Sequence, residues 1–330
     1  MNLNTKQKLY TGQLLLIFLV IIGMVAIYFS VRKVVINMYE SELSTILDAP
    51  SLGLKTAYKD ALYRQKKNME NLAPMFDGKV TLDESRKEKI SIENQVSKEK
   101  SEIEIPKMQW EGKDLYHNLD VVTQIAKSTD STVTIFQMIP QGMLRVTTTI
   151  KKKDGTLAIG TFIPTDSKVY QAIEKGENYF GLAYVVDGHY ITGYHPIKKD
   201  GKVIAAIFTG VSSEVLEEVK DMIRKIKVYD TGYFYIMDMK ANLILHPKLE
   251  GTSLYETKDI KGYYFAQDML QKKNGIIHYY WPDASGRPKE KVVSFHYLEE
   301  LDWMIAAGTN LEEVQDDIIL IKEKIIIIVG

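Results

Sequence analysis

The sequence predicts an α+β protein in which a long N-terminal helix precedes two antiparallel β-sheet modules. Three observations support this fold class: an uncharged apolar run opens the chain, polar and apolar residues alternate from about residue 132 onwards, and a sheet-plus-helix plan occurs twice. Alternation with a period of two is typical of half-buried strands, whereas the apolar run is long enough for a membrane-spanning helix. We therefore expect a membrane anchor followed by two stacked sheet modules.

The apolar run extends from Leu9 to Val31 and contains no charged side chain. A helix of this length crosses the roughly 30 Å of hydrocarbon in a bilayer. A cleaved signal peptide is the alternative, but its apolar region would be shorter and would end in small residues, whereas this run ends in IYFSVRK. We interpret the run as an uncleaved membrane anchor, whose flanking basic residues indicate orientation only weakly.

Helical spacing continues over roughly residues 32–75, with an interruption at Pro50. Residues 76–105 are heavily charged and have few aromatic residues, so we expect exposed connectors and short edge strands there. A short amphipathic helix, NLDVVTQIAKST, then precedes the predicted strands STVTIFQM, MLRVTTTI and TLAIGTFI. A helix that ends on Gly176 follows, and then the strands GLAYVVDG, HYITGYHPI and KVIAAIFTGV.

The plan recurs in shorter form after a helix opened by Ser212 or Ser213. The segment TGYFYIMDMKANLILHP predicts two strands around a tight turn at 240–242, and a loop with a short helix occupies 251–273. The strands GIIHYYW, EKVVSFHYL and WMIAAGTN complete this part. The closing segments 194–219 and 295–314 share an aromatic-His strand start, a turn, a strand ending in Gly and a helix, which indicates an internal repeat.

Composition narrows the function classes. The chain has no cysteine, which excludes disulfides and thiol catalysis, and its net charge of −1 gives no basic field for nucleic acid. The six histidines include no pair at metal-ligand helical spacing, and no Walker loop, dinucleotide fingerprint or nucleophile elbow occurs. We therefore expect no metal, no cofactor, no nucleic-acid partner and no enzymatic activity.

From about residue 95 to residue 315 these segments, in this order, resemble the fused Cache type 3–Cache type 2 sensor region. STVTIFQM to KVIAAIFTGV resembles the first module, and KVYDTGYFYIMDMKANLILHPKLEGTSLYE to WMIAAG resembles the second. Such regions are extracytoplasmic parts of methyl-accepting chemotaxis receptors and, less often, of sensor kinases. The resemblance implies two PAS-like sheets along a long helix, with the first module distal from the membrane. The family's usual residues differ from Thr149, Leu182 and His195, so a ligand that contacts these positions would differ from the usual one.

Together these observations predict a division of the chain into seven parts. They are the cytoplasmic N-terminus (1–8), transmembrane helix 1 (9–31), a long helix (32–75), a membrane-distal module (76–212), a linking helix (213–227), a membrane-proximal module (228–310), and an exit helix with the start of a second transmembrane helix (311–330). The final KEKIIIIVG supplies only the opening turns of a spanning helix, so we interpret it as a truncated second crossing. Residues 32–324 are then expected outside a cell membrane, and the output domain is absent.

Arg145 is the first candidate for a binding residue. Strand alternation in LRVTTTI places Arg145, Thr147 and Thr149 on one face, where a guanidinium beside two hydroxyls can hold a carboxylate. The alternative is an exposed arginine on a solvated sheet face. The strand HYITGYHPI likewise places Tyr190 and Tyr194 on one face.

Aromatic residues with hydroxyl tips suit a small-ligand pocket, although an antiparallel sheet also uses them for packing. Tyr184 in the preceding strand is a candidate to join Tyr190 and Tyr194 on their face, and His195 is a candidate because it adjoins Tyr194. The comparable candidates in the second module are Tyr235, His246, Trp281 and Lys291. For His246, a structural role in capping a turn is the favoured reading.

The predicted function is therefore ligand sensing by a membrane-anchored receptor. A small molecule, such as an organic acid or another small metabolite, would bind the distal module and shift the packing of modules and dimer helices. The expected partners are a second copy of the chain, the membrane, and cytoplasmic signalling proteins reached through an output domain. The alternatives are the sensor region of a histidine kinase or a diguanylate cyclase and, from another class, an anchored extracytoplasmic enzyme or scaffold.

Overall fold

The computed structural model describes residues 5–283 and 285–313. The chain forms two compact units, which we call the first unit (residues 54–218) and the second unit (residues 1–53 with 219–330). An N-terminal helical stretch and two sheets confirm the predicted α+β class. The predicted continuation of KEKIIIIVG into a second membrane crossing lies outside the described residues.

The helices are α1 (Thr5–Ile46), α2 (Asp48–Phe76), α3 (Leu119–Thr129), α4 (Lys168–Glu174), α5 (Glu217–Lys225) and α6 (Phe265–Lys272). A 3₁₀ turn, Ser213–Leu216, precedes α5. The strands of the first unit are β1 (Val80–Asn94), β2 (Lys100–Trp110), β3 (Lys113–Asp114), β4 (Thr132–Ile139), β5 (Gly142–Thr148), β6 (Thr161–Pro164), β7 (Tyr179–Val185), β8 (Gly188–Lys199) and β9 (Lys202–Ser212). Those of the second unit are β10 (Tyr233–Asp238), β11 (Leu243–Leu245), β12 (Gly275–Pro282), β13 (Pro288–Leu298) and β14 (Trp303–Asn310).

The predicted interruption at Pro50 appears one turn earlier. Pro50 has no N–H to donate to the carbonyl of Ile46, and α1 ends at Ile46 while α2 begins at Asp48. From Gln13 onwards the helical stretch is long and apolar enough to cross a membrane, and none of its most apolar window is buried in the protein. In its last turns, α1 buries Val35, Tyr39 and Leu43.

The first unit is built on a nine-stranded sheet in the order β3-β2-β1-β6-β5-β4-β9-β8-β7. One face packs on α3 and on the end of α2, around Phe76, Val122 and Ile135. The other face packs on α4, around Phe136, Tyr194 and Phe208. The two faces therefore have separate cores, and the second of these cores contains the candidates Tyr190 and Tyr194.

Two strand predictions in this unit were wrong. The charged segment 76–105 was expected to hold short edge strands, but β1 and β2 pair as a long antiparallel hairpin. Only a few apolar residues of this hairpin, such as Ile90 and Ile105, face the core. Most of its other residues are charged and exposed, so the alternation of polar and apolar residues is hard to recognise in the sequence. The strand expected in TLAIGTFI begins only at Thr161, because Gly160 takes a positive φ of 84° and turns the chain.

The second unit is built on a five-stranded sheet in the order β11-β10-β14-β13-β12. α6 and the loop before it cover one face, around Phe265, Tyr279 and Phe295. α1 lies against this sheet at β13 and β14. Tyr39 of α1 also packs on Tyr229, which precedes β10, with tilted rings whose centroids are 5.0 Å apart. The sheet face towards α6 carries the second set of candidate residues.

Candidate functional site

A β-bulge in β5 decides which side chains accompany Arg145. Strand β4 pairs regularly with β9, so the consecutive residues Ile135 and Phe136 of β4 lie on opposite faces of the sheet. Arg145 lies opposite Phe136 and Thr147 lies opposite Ile135, which leaves Val146 as the extra residue. Arg145 and Thr147 therefore face opposite sides of the sheet, and the prediction that they share a face was wrong.

The hydroxyls of Thr147 and Thr149 make backbone contacts. Oγ1 of Thr147 donates to the carbonyl of Asn118 at 2.8 Å. Oγ1 of Thr149, just past the end of β5, accepts from the backbone N–H of Val133 at 2.9 Å. These bonds hold strand β5 to its neighbours and leave Arg145 without the two hydroxyls that the sequence pattern indicated.

Among the residues that the structure describes, Arg145 is the largest fully buried side chain, with 0% of its surface exposed. Its Nη1 donates to Oγ1 of Thr161 at 2.9 Å and its Nη2 to Oε1 of Gln95 at 2.7 Å, while the guanidinium lies 5.0 Å from the Phe136 ring centroid. Within the described ranges no carboxylate pairs with it, and its Nε has no hydrogen-bond partner. Burial lowers the pKa of Arg145 to about 10, so the guanidinium stays charged at neutral pH.

Tyr194 adds a second unsatisfied group to the same core. Its side chain is fully buried, and its hydroxyl has no hydrogen-bond partner among the residues that the structure describes. Its ring contacts Phe208, with centroids 4.9 Å apart, and Tyr179 edge-on at 6.0 Å. Burial raises the pKa of the Tyr194 hydroxyl well above its ordinary value, and the charge of Arg145 opposes this shift. A buried donor and a buried hydroxyl without partners are costly unless a further group satisfies them.

The remaining candidates of the first unit divide between the two faces. Tyr190 lies opposite Ala183 and packs beside the core of Tyr194. Tyr184 pairs with His189, is 42% exposed and faces the other way, so its expected place beside Tyr190 was wrong. His195 follows Tyr194 and therefore also points to the other face.

His195 is held by two polar partners. Its Nδ1 lies 2.8 Å from Oδ1 of Asn178, and its Nε2 lies 3.1 Å from Oδ1 of Asp77, at the end of α2. The structure thus ties His195 to the helix, on the side of the sheet away from Arg145. His195 and Tyr194, which were proposed for one ligand site, therefore lie on opposite faces of the sheet.

A cavity of about 350 Å³ opens beside this core. Its lining includes Gln95, which binds Arg145, and Tyr179, which packs on Tyr194, together with Ser167 and Lys168 at the start of α4. Nε2 of Gln95 also donates to the carbonyl of Tyr184 at 3.1 Å. Gln95 therefore stands between the cavity and the guanidinium.

In the second unit, strand pairing brings the candidates onto one face of the sheet. Lys291 lies opposite Tyr279 on one side and opposite Asn310 on the other. Trp281 lies two residues beyond Tyr279 on the same strand and therefore shares that face. A cavity of about 900 Å³ is lined by Lys291, Trp281, His246 and other residues of this unit.

Lys291 is the buried cation of this cavity. It is 5% exposed, its Nζ lies 4.3 Å from the Tyr233 ring centroid, and no salt bridge to it occurs among the described residues. Burial lowers the pKa of Lys291 to about 8, and the more distant Glu313 acts in the opposite direction. By contrast, Lys289, two residues away, is neutralised by Glu312 at 2.6 Å.

His246 caps the turn that follows β11. The backbone N–H groups of Lys248 and Leu249 both donate to its Nδ1 at 3.0 Å. Burial and, second, the charge of Lys291 lower the pKa of His246 to about 4, so the neutral ring carries its proton on Nε2. The predicted turn cap is thus present, and the same ring forms part of the cavity wall.

Tyr235 and Trp281 have different positions in this unit. Tyr235 is buried behind the cavity, and its hydroxyl lies 3.4 Å from the sulfur of Met269. Trp281 packs edge-on against Phe265 with centroids 5.7 Å apart and lines the cavity. Three of the four candidates, His246, Trp281 and Lys291, therefore meet at one cavity.

Sequence patterns missed several residues that complete these sites. Gln95 sits in the turn of a hairpin that was expected to be a connector, and no local signal marks it. Asn310 ends the last strand, and its Oδ1 has no partner within the described part of the chain. The pairing of Asn310 with Lys291 would have revealed it, because cross-strand partners share a face.

The apolar helix is followed by two sheets, and each sheet carries a buried cation beside a cavity. The model of the Cache 3/Cache 2 fusion domain matches residues 29–323, and the chain belongs to this family. It is therefore a Cache domain, a class of sensor domain.

The methyl-accepting chemotaxis protein McpP of Pseudomonas putida is 24% identical over 107 residues, which are 30% of this chain and 20% of that relative's length. Among solved structures, the periplasmic sensory domain of the Campylobacter jejuni chemoreceptor Tlp1 aligns with a TM-score of 0.50 at 14% identity, covering 85% of this chain and 98% of that one. The ligand-binding domain of Mlp24 with asparagine aligns with a TM-score of 0.50 at 13% identity, covering 88% and 99%. At these identities the two structures show the fold alone.

Proposed function

We propose that this chain is the ligand-sensing region of a transmembrane chemoreceptor and that its first unit binds a small carboxylate at Arg145. The observation that carries the proposal is the fully buried guanidinium, which no described carboxylate neutralises. A buried charge without a counterion costs several kcal/mol, and a stabilising role would favour an apolar residue at this position. An anionic ligand accounts for the retained charge.

The geometry around Arg145 indicates how such a ligand binds. A planar guanidinium donates two parallel hydrogen bonds to a carboxylate, but here one of its nitrogens is occupied by the neutral amide of Gln95. A carboxylate that enters from the cavity of about 350 Å³ displaces Oε1 of Gln95 and takes its place. The hydroxyl of Tyr194, which lacks a partner among the described residues, then provides a further donor.

Signalling follows from the same displacement. Gln95 links the hairpin turn to β7 through the carbonyl of Tyr184. When the ligand displaces Gln95, Arg145 exchanges its hydrogen bond to Gln95 for a hydrogen bond to the ligand. Only a difference in affinity between two packings shifts their populations. In the proposed receptor, residues 32–324 lie outside the cell membrane, the first unit is distal, and a homodimer transmits the shift to cytoplasmic signalling proteins.

The test is ligand binding by the full chain in detergent micelles. Thermal unfolding is measured with the sodium salts of acetate, propionate, lactate, pyruvate, succinate, malate and benzoate, with propionamide as the neutral control. At least one carboxylate is expected to raise the unfolding midpoint, and isothermal titration then gives its Kd. If none of the carboxylates shifts the midpoint, carboxylate sensing by this chain is refuted.

The variant Arg145→Gln is expected to weaken binding of that carboxylate at least about tenfold, because a charge-assisted hydrogen bond contributes about 1.5–3 kcal/mol. Arg86→Gln is the matched control, since Arg86 is an exposed arginine of the same unit paired with Asp83 and Asp114. An unchanged Kd in a folded Arg145→Gln chain would show that the anion binds elsewhere. A methyl-accepting output domain fused behind residue 330 should then respond to the same ligand, and receptor methylation is the readout.

A further inference from the structure

A tight turn in the loop before α6 presents an isoleucine to the outside of the second unit. The backbone N–H of Gly262 donates to the carbonyl of Asp259 at 3.0 Å, so Ile260 and Lys261 are the central residues of a β-turn. Ile260 is 65% exposed, the same fraction as Leu14 in the apolar run of α1. Turn positions ordinarily carry small or polar residues, so the fold itself gives no reason for an isoleucine at this position.

Two exposed lysines flank this isoleucine. Nζ of Lys258 lies 4.5 Å from the ring centroid of Tyr264, and Nζ of Lys261 lies 4.1 Å from the ring centroid of Tyr280. An ammonium group over the face of an aromatic ring is attracted to it, so the rings favour fixed positions for both cations. The turn therefore presents Ile260 between two positively charged groups.

The carboxylate of the turn is directed at the backbone. Oδ1 of Asp259 accepts from the N–H groups of Lys261 at 2.8 Å and Tyr263 at 3.0 Å, and its Oδ2 accepts from the N–H of Tyr280 at 3.1 Å. The other acidic residue of the loop, Glu256, precedes the turn. Within the turn, the ammonium group of Lys261 is therefore the charge that faces outwards beside the isoleucine.

Two contacts fix the direction of the sheet relative to α1. Nε2 of His278 in β12 lies 3.1 Å from Oε1 of Glu40, and Nε2 of His296 in β13 lies 3.4 Å from Oγ of Ser44. The two strands are antiparallel, and His278 lies opposite Val292 of β13. Strand β13 therefore runs in the same sense as α1, and β12 runs back towards the apolar run.

The turn lies close to the level at which the apolar run ends. A helix rises about 1.5 Å per residue, so Glu40 is roughly 13 Å beyond Val31. Tyr280 follows His278 in β12 and is about 7 Å nearer to the apolar run, since a strand rises about 3.3 Å per residue. Because Asp259 binds the N–H of Tyr280, the turn is at that same level. It lies about 6 Å beyond Val31, within the layer of roughly 5–7 Å that lipid headgroups occupy on each side of a bilayer.

We infer that this turn docks on the surface of the bilayer, with Ile260 inserted among the headgroups and with Lys258 and Lys261 bound to the phosphates of anionic phospholipids. Lysines near a membrane are attracted to anionic lipids, and an apolar side chain is stabilised when it leaves water for the interface. The inference rests on the part of the proposed function that makes residues 9–31 a membrane span. It does not depend on ligand binding at Arg145.

The experiment uses the full chain in nanodiscs of phosphatidylcholine and phosphatidylglycerol that hold one chain each. The chain has no cysteine, so Ile260→Cys introduces a single site for a fluorescent label. The readout is quenching of the label by lipids that carry a nitroxide at the headgroup. Gln271→Cys is the control, since Gln271 is exposed and precedes Gly275, the end of β12 that is farther from the apolar run.

The label at position 260 is expected to be quenched at least about threefold more than the label at position 271, because only the turn lies among the headgroups. Equal quenching at the two positions overturns the inference. Quenching that occurs only in discs that hold two chains would show that a second copy covers the turn, and it overturns the inference too. Both cysteines replace exposed residues, so neither variant disturbs the core.

Lys261→Gln and Lys273→Gln form a matched pair in the labelled Ile260→Cys chain. Both lysines lie over a tyrosine ring, but Lys273 lies 4.8 Å from the ring centroid of Tyr297, at the end of β13 that is farther from the apolar run. Lys261→Gln is expected to lower the quenching at least about twofold, and Lys273→Gln is expected to leave it unchanged. Equal effects of the two variants, or equal quenching in discs without phosphatidylglycerol, would overturn the binding of anionic headgroups.

A label in the apolar run separates this inference from the proposed membrane span. Val20→Cys places the label in the middle of the run, where lipids with a nitroxide deep in the acyl chain should quench it. If the label at position 20 is quenched and the label at position 260 is not, the docking of the turn is refuted and the span stands. If the label at position 20 is not quenched, the span and the docking are refuted together. Neither result affects carboxylate binding at Arg145, which calorimetry measures separately.

Discussion

The Nη2 atom of Arg145 donates to Oε1 of Gln95 at 2.7 Å, so a neutral amide stands where a buried guanidinium would ordinarily meet a carboxylate. Gln95 belongs to the turn between β1 and β2, and it also accepts from the backbone N–H of Val186 at 3.4 Å and donates to the carbonyl of Tyr184. One side chain therefore connects the buried cation, the hairpin and the end of β7.

Gln95→Glu is expected to convert this contact into a permanent ion pair. The new carboxylate takes the position that we assign to the ligand, so the chain without ligand should unfold at a higher temperature. The ligand Kd should rise at least about tenfold, since a hydrogen bond to a charged group contributes about 1.5–3 kcal/mol. Differential scanning fluorimetry and calorimetry measure the two effects.

Gln95→Met is the matched comparison, because it removes the acceptor without adding charge. It is expected to lower the unfolding midpoint and to leave or strengthen ligand binding, since the ligand no longer has to displace an amide. If both substitutions weaken binding alike, Gln95 contacts the ligand itself and does not compete with it.

Thr161→Val and Thr147→Val test the effect of the β-bulge in β5. Both threonines are buried and each donates or accepts a bond that valine cannot form, but only Oγ1 of Thr161 accepts from Arg145. Each variant is expected to lose about 1 kcal/mol of unfolding free energy. Only Thr161→Val should alter the ligand Kd, because Thr147 lies on the other face.

A change in ligand affinity on Thr147→Val would contradict this division of the faces. Urea unfolding measures the stability of both variants, and titration with the carboxylate identified for the parent chain measures affinity. Thr147→Ser is a useful control, since it retains the hydroxyl that donates to Asn118 and should keep most of the stability.

The contrast between Thr147 and Tyr190 shows what the sequence was able to predict. Strand alternation correctly predicted that Tyr190 and Tyr194 share a face, because β8 pairs regularly with β7 along both residues. It failed for Thr147 because one extra residue in β5 reverses every later side chain, and a bulge depends on neighbouring strands. Gly176 ends α4 with a positive φ of 77°, as its position predicted, since that signal is local.

The hairpin of β1 and β2 was missed for another reason. Its exposed face carries charged pairs such as Lys89 with Glu102 at 2.6 Å, so the composition resembles a solvated connector. The second unit shows the opposite case. His246, Trp281 and Lys291 are far apart in sequence, yet they were all proposed as candidates because polar and aromatic residues at strand ends are visible in the sequence. The sequence alone could not show that they line one cavity, because this depends on the order of the strands in the sheet.

His246→Asn tests the role of His246 in acid stability. Burial and the charge of Lys291 lower the pKa of His246 to about 4, below the ordinary value of 6.5, while Glu250 opposes the shift. In this pH range His246 therefore binds a proton in the unfolded chain but not in the folded chain, and the free energy of unfolding falls as the pH decreases from 6.5 to 4. The loss is on the order of 3 kcal/mol by the end of this window.

In His246→Asn, the amide oxygen of asparagine replaces Nδ1 as the acceptor for the N–H groups of Lys248 and Leu249, but it does not titrate. The variant should therefore keep its stability at neutral pH and lose less of it between pH 6.5 and pH 4 than the parent chain. Urea unfolding at pH 7, 6, 5 and 4 gives the comparison. Parallel pH profiles for parent and variant would rule out the proposed contribution of His246.

Lys291→Met tests whether the buried ammonium of the second unit is a cost to the fold. Burial lowers the pKa of Lys291 from its ordinary 10.5 to about 8, so between these values the unfolded chain holds a proton that the folded chain has released. Stability of the parent chain therefore rises with pH across this window, and below pH 8 the full penalty is present. The other titrating groups that face Lys291 are Glu313, His246, Tyr233 and Tyr279.

Lys291→Met fills the same space without charge, so it should be more stable than the parent chain at pH 7. This advantage, on the order of 3 kcal/mol at most, should shrink steadily as the pH rises from 8 to 10. Lys289→Met controls for a surface lysine and should show no such trend. Unfolding free energies from urea titrations at pH 7, 8, 9 and 10 measure the difference, and an advantage that stays constant over this range would show that Lys291 titrates normally. A lysine that lowers the stability of its own unit at neutral pH fits a functional role better than a structural one, because a purely stabilising role would favour an uncharged side chain at this buried position.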